Sequence, residues 1–300
     1  MTDIPTIRLN NGIDIPCMGT GPGGAWYKGG TGSLWTRVYR HFIGGPALER
    51  KYVDAVAHAF KTGYTLLDYS SSYGDGVLIG KAIRKSGVPR DRLFLTTRIS
   101  NAAQREHNVK ECLMRQLEGF GVDQVDMLMF HWPVPGLFLD TWKEMISLYE
   151  AGYCRSLGVA NCHRHHLEAL LNEGSVVPVI NQVEVHPLFT QKDLIDYCHE
   201  RKIQVEAYTP IARNDDRLIC RPLLKSIAAK YNKTPVQIVL RWHIQTGTIP
   251  IVRSWNRDRL LEDISVFDFE LTPEELLSID GLNINSRLRY DPDNCDFSVL

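Results

Sequence analysis

The sequence predicts an α/β fold, a closed (β/α)8 TIM barrel built as one domain over residues 1–300, and three observations carry that expectation. Short apolar runs alternate with stretches of helical period from residue 47 onward; counting Met18–Thr20 there are eight such runs; no linker or shift in composition divides the chain. Regular βα alternation implies a parallel sheet, and eight units imply closure. The competing architecture is a doubly wound open sheet, which wants a Gly-rich fingerprint at its first βα turn that opens a helix, and none there is convincing. Three hundred residues would suit two domains, yet barrels reach this size as one.

Each element follows from local pattern. The opening "TIRLNNGIDI" sets two β-prone runs around Asn-Asn-Gly, a hairpin signal. The stretch "GTGPGGAWYKGGTGS" has no P-loop lysine, and a lone Gly-rich segment is weak evidence for phosphate binding, so it reads as a loop rather than a phosphate cradle. "ALERKYVDAVAHAFKTG" is amphipathic and stops at Gly63, "TLLD" is a strand, and "VLIGKAIRKSG" is a helix that stops at Gly87. Then come "RLFLTTR", a helix near 105–119, "DMLMFHW", a helix near 140–151, "RSLGVAN" and a helix near 164–172. "VINQVEV", a helix near 191–201, "IQVEAYTP", helices near 221–230 and 235–246, and "TIPIV" complete the series.

Composition excludes several function classes. The 34 Lys and Arg against 35 Asp and Glu leave a net charge of −1 with no long basic run, which favours neither nucleic acid nor an anionic membrane as partner. The seven cysteines are scattered, with no CxxC pair and no Cys/His ligand spacing, so they read as reduced thiols and no metal is expected. The N-terminus lacks the pattern of a signal peptide and no run of about 18 apolar residues occurs, so a cytoplasmic protein is expected. No large exposed apolar helix is evident, and the chain is expected to be a monomer or weak dimer acting on a small molecule.

In such barrels reactive groups sit at the C-terminal ends of the strands. Here the runs end in Asp68, Arg98, His131, Asn161, Gln182 with Glu184, Tyr208, and Arg253 with Ser254. Taken singly each has a bland explanation: Asp68 as a turn cap, His131 as a satisfied core histidine, Arg98 as a solvated strand end. Together they place a carboxylate, a guanidinium, an imidazole and two amides on one rim, a set that binds a polar molecule and moves a proton. Tyr73, five residues beyond Asp68, adds a phenol within reach of that rim.

These residues carry a resemblance. "LLDYSSSYGDGVLIGKAI" resembles the Asp-x4-Tyr-Gly motif of the aldo-keto reductases, and "MLMFHWP", "GVANCH", "INQVEVHP" and "EAYTPI" resemble four further strands of that family. "VRSWNRDRLLEDISVFDFELTPEEL" is similar to its cofactor clamp and C-terminal helix, and the match runs in order from about residue 5 to 285. The resemblance implies an NADP-dependent enzyme that reduces an aldehyde or ketone with NADPH through an Asp-Tyr-Lys-His tetrad. Asp68, Tyr73 and His131 match three of its members, with Tyr73 as proton donor. A free phenol titrates near 10, so a neighbouring cation is needed to favour the phenolate. The family's lysine position holds Arg98, at the interval from His131 that the family's lysine has. Arginine keeps the charge but prefers bidentate contact with a carboxylate, which leaves two outcomes: a slow or narrow reductase, or a site redirected to isomerisation or dehydration. An NADPH-binding regulatory protein with little turnover is a further alternative.

The same resemblance implies that Asn161 and Gln182 hold the nicotinamide carboxamide and that Tyr208 stacks on its ring. Thr20, Asp68, Thr209 and Ile211 are further expected cofactor contacts. Arg253, Ser254 and Arg259 match the clamp on the adenosine phosphate, and two guanidinium groups there favour NADPH over NADH. Glu262 and Asp263 stand where the family has Glu-Asn on the adenine, and Ala160 replaces the usual serine before Asn161. The substrate wall is expected from the segment around Trp26, Tyr27 and Trp35, from Trp132, and from a C-terminal substrate loop, "LRYDPDNCDFSVL", that includes Tyr290. That aromatic content suits a ring-bearing or apolar carbonyl.

Overall fold

A computed structural model describes residues 4–22, 45–73, 76–174 and 176–297. The segment holding Trp26, Tyr27 and Trp35 lies outside them. The expected hairpin pairs β1 (Thr6–Arg8) with β2 (Asp14–Pro16) in antiparallel register, Ile7 opposite Ile15. Gly12 takes φ +83° in its turn, a conformation that favours glycine, and donates to Leu9 O. Asn10 Nδ2 donates to the carbonyls of Pro178 and Lys202, each at 3.1 Å, which fastens the hairpin under the barrel.

Eight parallel strands follow: β3 (Gly19–Thr20), β4 (Leu66–Asp68), β5 (Phe94–Ile99), β6 (Met127–Phe130), β7 (Leu157–Ala160), β8 (Ile180–Glu184), β9 (Gln204–Tyr208) and β10 (Thr248–Val252). They close in sequence order, β10 pairing with both β3 and β9, so the predicted (β/α)8 barrel forms. The barrel interior is graded. Leu9 and Ile15 of the hairpin region pack with Leu66, Phe94, Met127, Met129, Ile180, Ile249 and Ile251 into an apolar layer. Polar side chains gather at the opposite, C-terminal ends of the strands, where a layer of hydrocarbon would otherwise meet water.

Outer helices bury one face each against the strands. Helix Gly45–Thr62 buries Tyr52, Val53, Val56 and Phe60, as the amphipathic pattern requires. Helix Pro235–Gln245 begins with Pro235 in its first turn behind the capping residue Thr234, whose hydroxyl accepts from Gln237 N at 3.3 Å. One expectation is corrected. The helix near 105–119 is two helices, Asn101–Arg105 and Val109–Phe120, because Ser100 Oγ accepts from Ala103 N and starts a turn directly after β5, and His107 at φ 49° breaks it. Among the described residues no helix is long and apolar enough to cross a membrane.

Beyond helix Pro273–Asp280 the chain crosses the C-terminal end of the barrel as a strap. Leu288 N and Arg289 N donate to the two carboxylate oxygens of Glu184, at 2.7 and 2.8 Å. His163 Nδ1 lies 2.7 Å from Asp293 Oδ2, and Arg105 Nη1 donates to Phe297 O at 2.7 Å. The strap therefore has anchors on β8, on the loop after β7 and on the helix after β5.

Helices Gly76–Ser86 and Val109–Phe120 flank the site and cross without a side chain between them. A methyl on Gly80 would overlap the Gly119 carbonyl oxygen, and one on Gly119 would come within 2.9 Å of the Gly76 carbonyl carbon. Gly80→Ala is expected to destabilise the fold by about 1–3 kcal/mol through overpacking. Thermal or urea unfolding checks this; an unchanged midpoint would mean the helices separate freely.

Candidate active site

The site is built at the ends of β4, β5 and β6. Arg98 is the penultimate residue of β5 and points inward, 2% exposed, where an unpaired guanidinium would be costly. It is not unpaired. Nη2 donates to Asp68 Oδ1 at the end of β4 and to Gln182 Oε1 on β8 at 2.5 Å, and Nη1 donates to the Tyr73 hydroxyl at 2.8 Å. Only Nε lacks a partner. Although burial opposes the charge, Asp68 and Tyr73 hold Arg98 as a cation.

Tyr73 sits in the short turn Ser71–Tyr73 after β4, with Tyr73 N donating to Ser70 O. Burial pushes its phenol above the ordinary value of 10, the Arg98 guanidinium pulling the other way. The lowering expected from the cation is thus present and outweighed by burial. The His131 ring meets Tyr73 edge-on, centroids 5.8 Å apart, and its Nδ1 lies 3.4 Å from Ser70 Oγ. Burial, then Arg98 and Arg289, push His131 down to about 3, so the imidazole is neutral at pH 7.

A buried acid lies beneath these groups. Glu206 Oε2 accepts from Gln182 Nε2 at 2.7 Å, and Oε1 has no partner. Burial, with Asp68 adding to it, pushes Glu206 up to about 8. Gln182 Nε2 also donates to Asp68 Oδ1 at 3.2 Å, so both of its N–H groups are used. Asn161, in a left-handed conformation at φ 60° after β7, donates to His131 O at 2.9 Å and accepts from Tyr208 OH at 2.8 Å.

A cavity of about 690 Å3 opens over this network. Of the residues expected from sequence it brings together Asp68, Tyr73, Arg98, His131, Trp132, Asn161, Gln182, Tyr208, Thr209, Ile211 and Arg253. Thr20 lies below its wall and donates its hydroxyl to Val252 O at 3.2 Å, with Gly21 lining in its place. Ser254, Arg259, Glu262 and Asp263 lie outside the lining; Glu262 accepts from the Thr234 hydroxyl at 2.7 Å, and Asp263 is buried, its carboxyl pushed up to about 7 by burial and then by Glu262. Tyr290 is 49% exposed and does not line the cavity, whereas its neighbour Arg289 does. Trp26 and Tyr27 fall outside the described residues.

Glu184, read from sequence as part of the polar rim, is turned to the strap. Against the burial that opposes its ionisation, His186 at 3.0 Å and the two strap N–H groups hold it below the usual carboxylate range. Residues that sequence reasoning passed over are Glu206, Arg213, Asn214 and Arg289. Glu206 had one available signal: it stands two residues before Tyr208 on a strand, hence on the same face.

Comparison with known proteins places this arrangement. The model of the aldo/keto reductase family matches residues 40–284. A glyoxal reductase of Bacillus subtilis is 35% identical over 292 residues, 97% of this chain and 98% of its own. A methylglyoxal reductase, DkgA, of Salmonella typhimurium is 37% identical over 295 residues, 98% of each chain. Among solved structures, an aldo-keto reductase of Bombyx mori in complex with NADP superposes with a TM-score of 0.83 at 30% identity, covering 98% of this chain and 97% of its own. A family model spanning most of the barrel, with relatives matched nearly end to end, shows that the chain belongs to the aldo/keto reductase family.

Proposed function

We propose that the protein reduces an aldehyde or ketone to an alcohol, with NADPH as reductant and Tyr73 as proton donor. The observation that carries this reading is the unbroken chain Asp68–Arg98–Tyr73 beneath a cavity that His131 also faces. NADPH, when bound, supplies a hydride. The residues present fit it. Asn161 has an N–H and Gln182 an oxygen lone pair left for a carboxamide, Tyr208 lines the cavity, and Arg253 offers a guanidinium that has no carboxylate partner among the described residues for a phosphate. Thr209 Oγ1 is a buried hydroxyl without a protein partner beside them. Relatives named for glyoxal, methylglyoxal and NADP support the same assignment.

In the reaction Tyr73 delivers its proton to the carbonyl oxygen as charge develops there, and neutral His131 orients that oxygen by hydrogen bonding. Arg98 takes the place of the family's lysine: its contact at 2.8 Å stabilises the phenolate that forms, while the rest of the fork is held by Asp68 and Gln182. Glu206 keeps its proton at neutral pH, so the buried network beneath the cavity sets one carboxylate, Asp68, against one guanidinium, Arg98. The barrel works as one domain and a monomer in this reading.

The direct test is incubation with NADPH and a panel of aromatic and aliphatic carbonyls, following NADPH absorbance and product mass. Consumption of NADPH with a product two hydrogens heavier is expected. A product isomeric with its substrate and NADPH untouched would move the site to isomerisation. Tyr73→Phe is expected to lower kcat by about 10²–10⁴-fold, as loss of a general acid does; an active variant would remove Tyr73 from this role. Arg98→Lys should retain or raise reduction, since charge persists and Gln182 is released.

The raised Glu206 value predicts a stability signature. Between the ordinary 4.5 and about 8 the unfolded chain has lost a proton that the fold retains. Wild-type stability relative to Glu206→Gln should therefore fall as pH rises through that window and level off above it. Urea unfolding at a series of pH values measures this; parallel curves would assign the titration elsewhere.

A further inference from the structure

The described wall of the cavity is cationic. Four guanidinium groups line it, Arg98, Arg213, Arg253 and Arg289, against one carboxylate, Asp68, which is committed to Arg98. Among the described residues Arg213, Arg253 and Arg289 make no ion pair; the one close contact of the Arg289 guanidinium is the Tyr290 ring, 5.3 Å from its centroid. Arg213 and Arg253 follow β9 and β10, the side where the reading above puts cofactor phosphates. Arg289 comes from the strap instead.

Its placement is built. The backbone N–H of Arg289 is fixed at 2.8 Å to Glu184, itself 1% exposed, and Leu288 N holds the other carboxylate oxygen of the same residue. Residue 289 is thereby tethered to the end of β8, and its side chain, though exposed, lines the cavity. The guanidinium charge there is felt by Tyr73, His131 and Tyr208 alike. The backbone tether fixes where this exposed cation stands at the cavity wall.

We propose that Arg289 is a specificity-determining residue that selects carbonyl substrates bearing a second, anionic group, a carboxylate or a phosphate, set across the cavity from the carbonyl addressed by Tyr73 and His131. This rests on the reductase reading. The guanidinium fork matches the planar carboxylate and the phosphate oxygens, and a cavity lined with one sign of charge draws substrates of the other. A neutral aldehyde gains nothing from the fork and leaves the cation unpaired as the cavity fills.

The test uses pairs in which the anionic group is masked or missing: 4-carboxybenzaldehyde and succinic semialdehyde against their methyl esters, and glyceraldehyde 3-phosphate against glyceraldehyde. For at least one pair the wild-type enzyme should favour the charged member. Arg289→Ala should lower the charged-to-neutral ratio of kcat/KM by about 10–100-fold, the scale of one charge-assisted hydrogen-bonded contact, with the change mainly in KM. Arg289→Lys should restore part of it, and rising salt should erode it. The carboxylate and phosphate arms show which anion the site takes. Equal use of charged and neutral members in all three pairs would overturn the proposal while leaving the reductase reading intact. So would a variant that raises the KM for NADPH equally with every substrate, which would make Arg289 a cofactor contact. No NADPH consumption with any aldehyde would instead sink the reductase reading itself.

Discussion

The site depends on one buried ion pair, Arg98 with Asp68, and on what is needed to keep it buried. Taking both charges out of water is costly, and their attraction offsets that only if the remaining donors and acceptors are matched. Here the guanidinium divides its arms among Asp68, Gln182 and Tyr73. Removing one partner of such a pair typically costs about 3–5 kcal/mol. The second carboxyl, Glu206, would upset the balance if it ionised, and burial beside Asp68 keeps it protonated to about pH 8. One positive and one negative charge then share a network whose other members are neutral. The closed barrel makes this possible, because the adjacent strands β4 and β5 and, across the barrel, β8 and β9 point side chains into the same small volume.

The opposite end of the barrel answers a different constraint. Its apolar layer is dense enough that a methyl on Gly19 would fall 2.7 Å from Leu66 and Ile251, and the hairpin covers it from below. Rigidity there fixes the strand ends above. The strap does the corresponding work at the top through Glu184, a carboxylate spent wholly on structure. Polar groups on one rim thus divide into those that face the cavity and those that hold its rim in place.

That division marks what the sequence makes legible. The eight strands and the identity of Asp68, Tyr73, Arg98 and His131 follow from period and from strand-end position, which are local properties. Glu184 looks identical by those criteria, and its use is decided by backbone N–H groups 104 and 105 residues further on. The strap has no regular period, so nothing local indicates that Arg289 rather than Tyr290 turns inward. The split of the helix after β5 turns on one hydroxyl, Ser100, close enough to the strand to start a helix early. Glu206 was legible in principle through its parity with Tyr208, but a buried acid protonated by its neighbours shows no charge partner in sequence.

The protonation states bear on why an arginine can serve at this position. Burial dominates Tyr73 and keeps its proton in place, so Arg98 gains only a neutral hydrogen bond at 2.8 Å. In the proposed reaction the phenol gives up its proton, that same contact becomes a pairing of opposite charges in a poorly screened site, and its strength rises without any group having to move. The contribution is therefore larger in the transition state than in the resting enzyme, the condition under which an interaction speeds a reaction. Lysine would offer the same charge with a freer geometry. Arginine, pinned on Asp68 and Gln182, presents Nη1 in one direction only, so the proposed proton delivery would favour carbonyls that lie along that line.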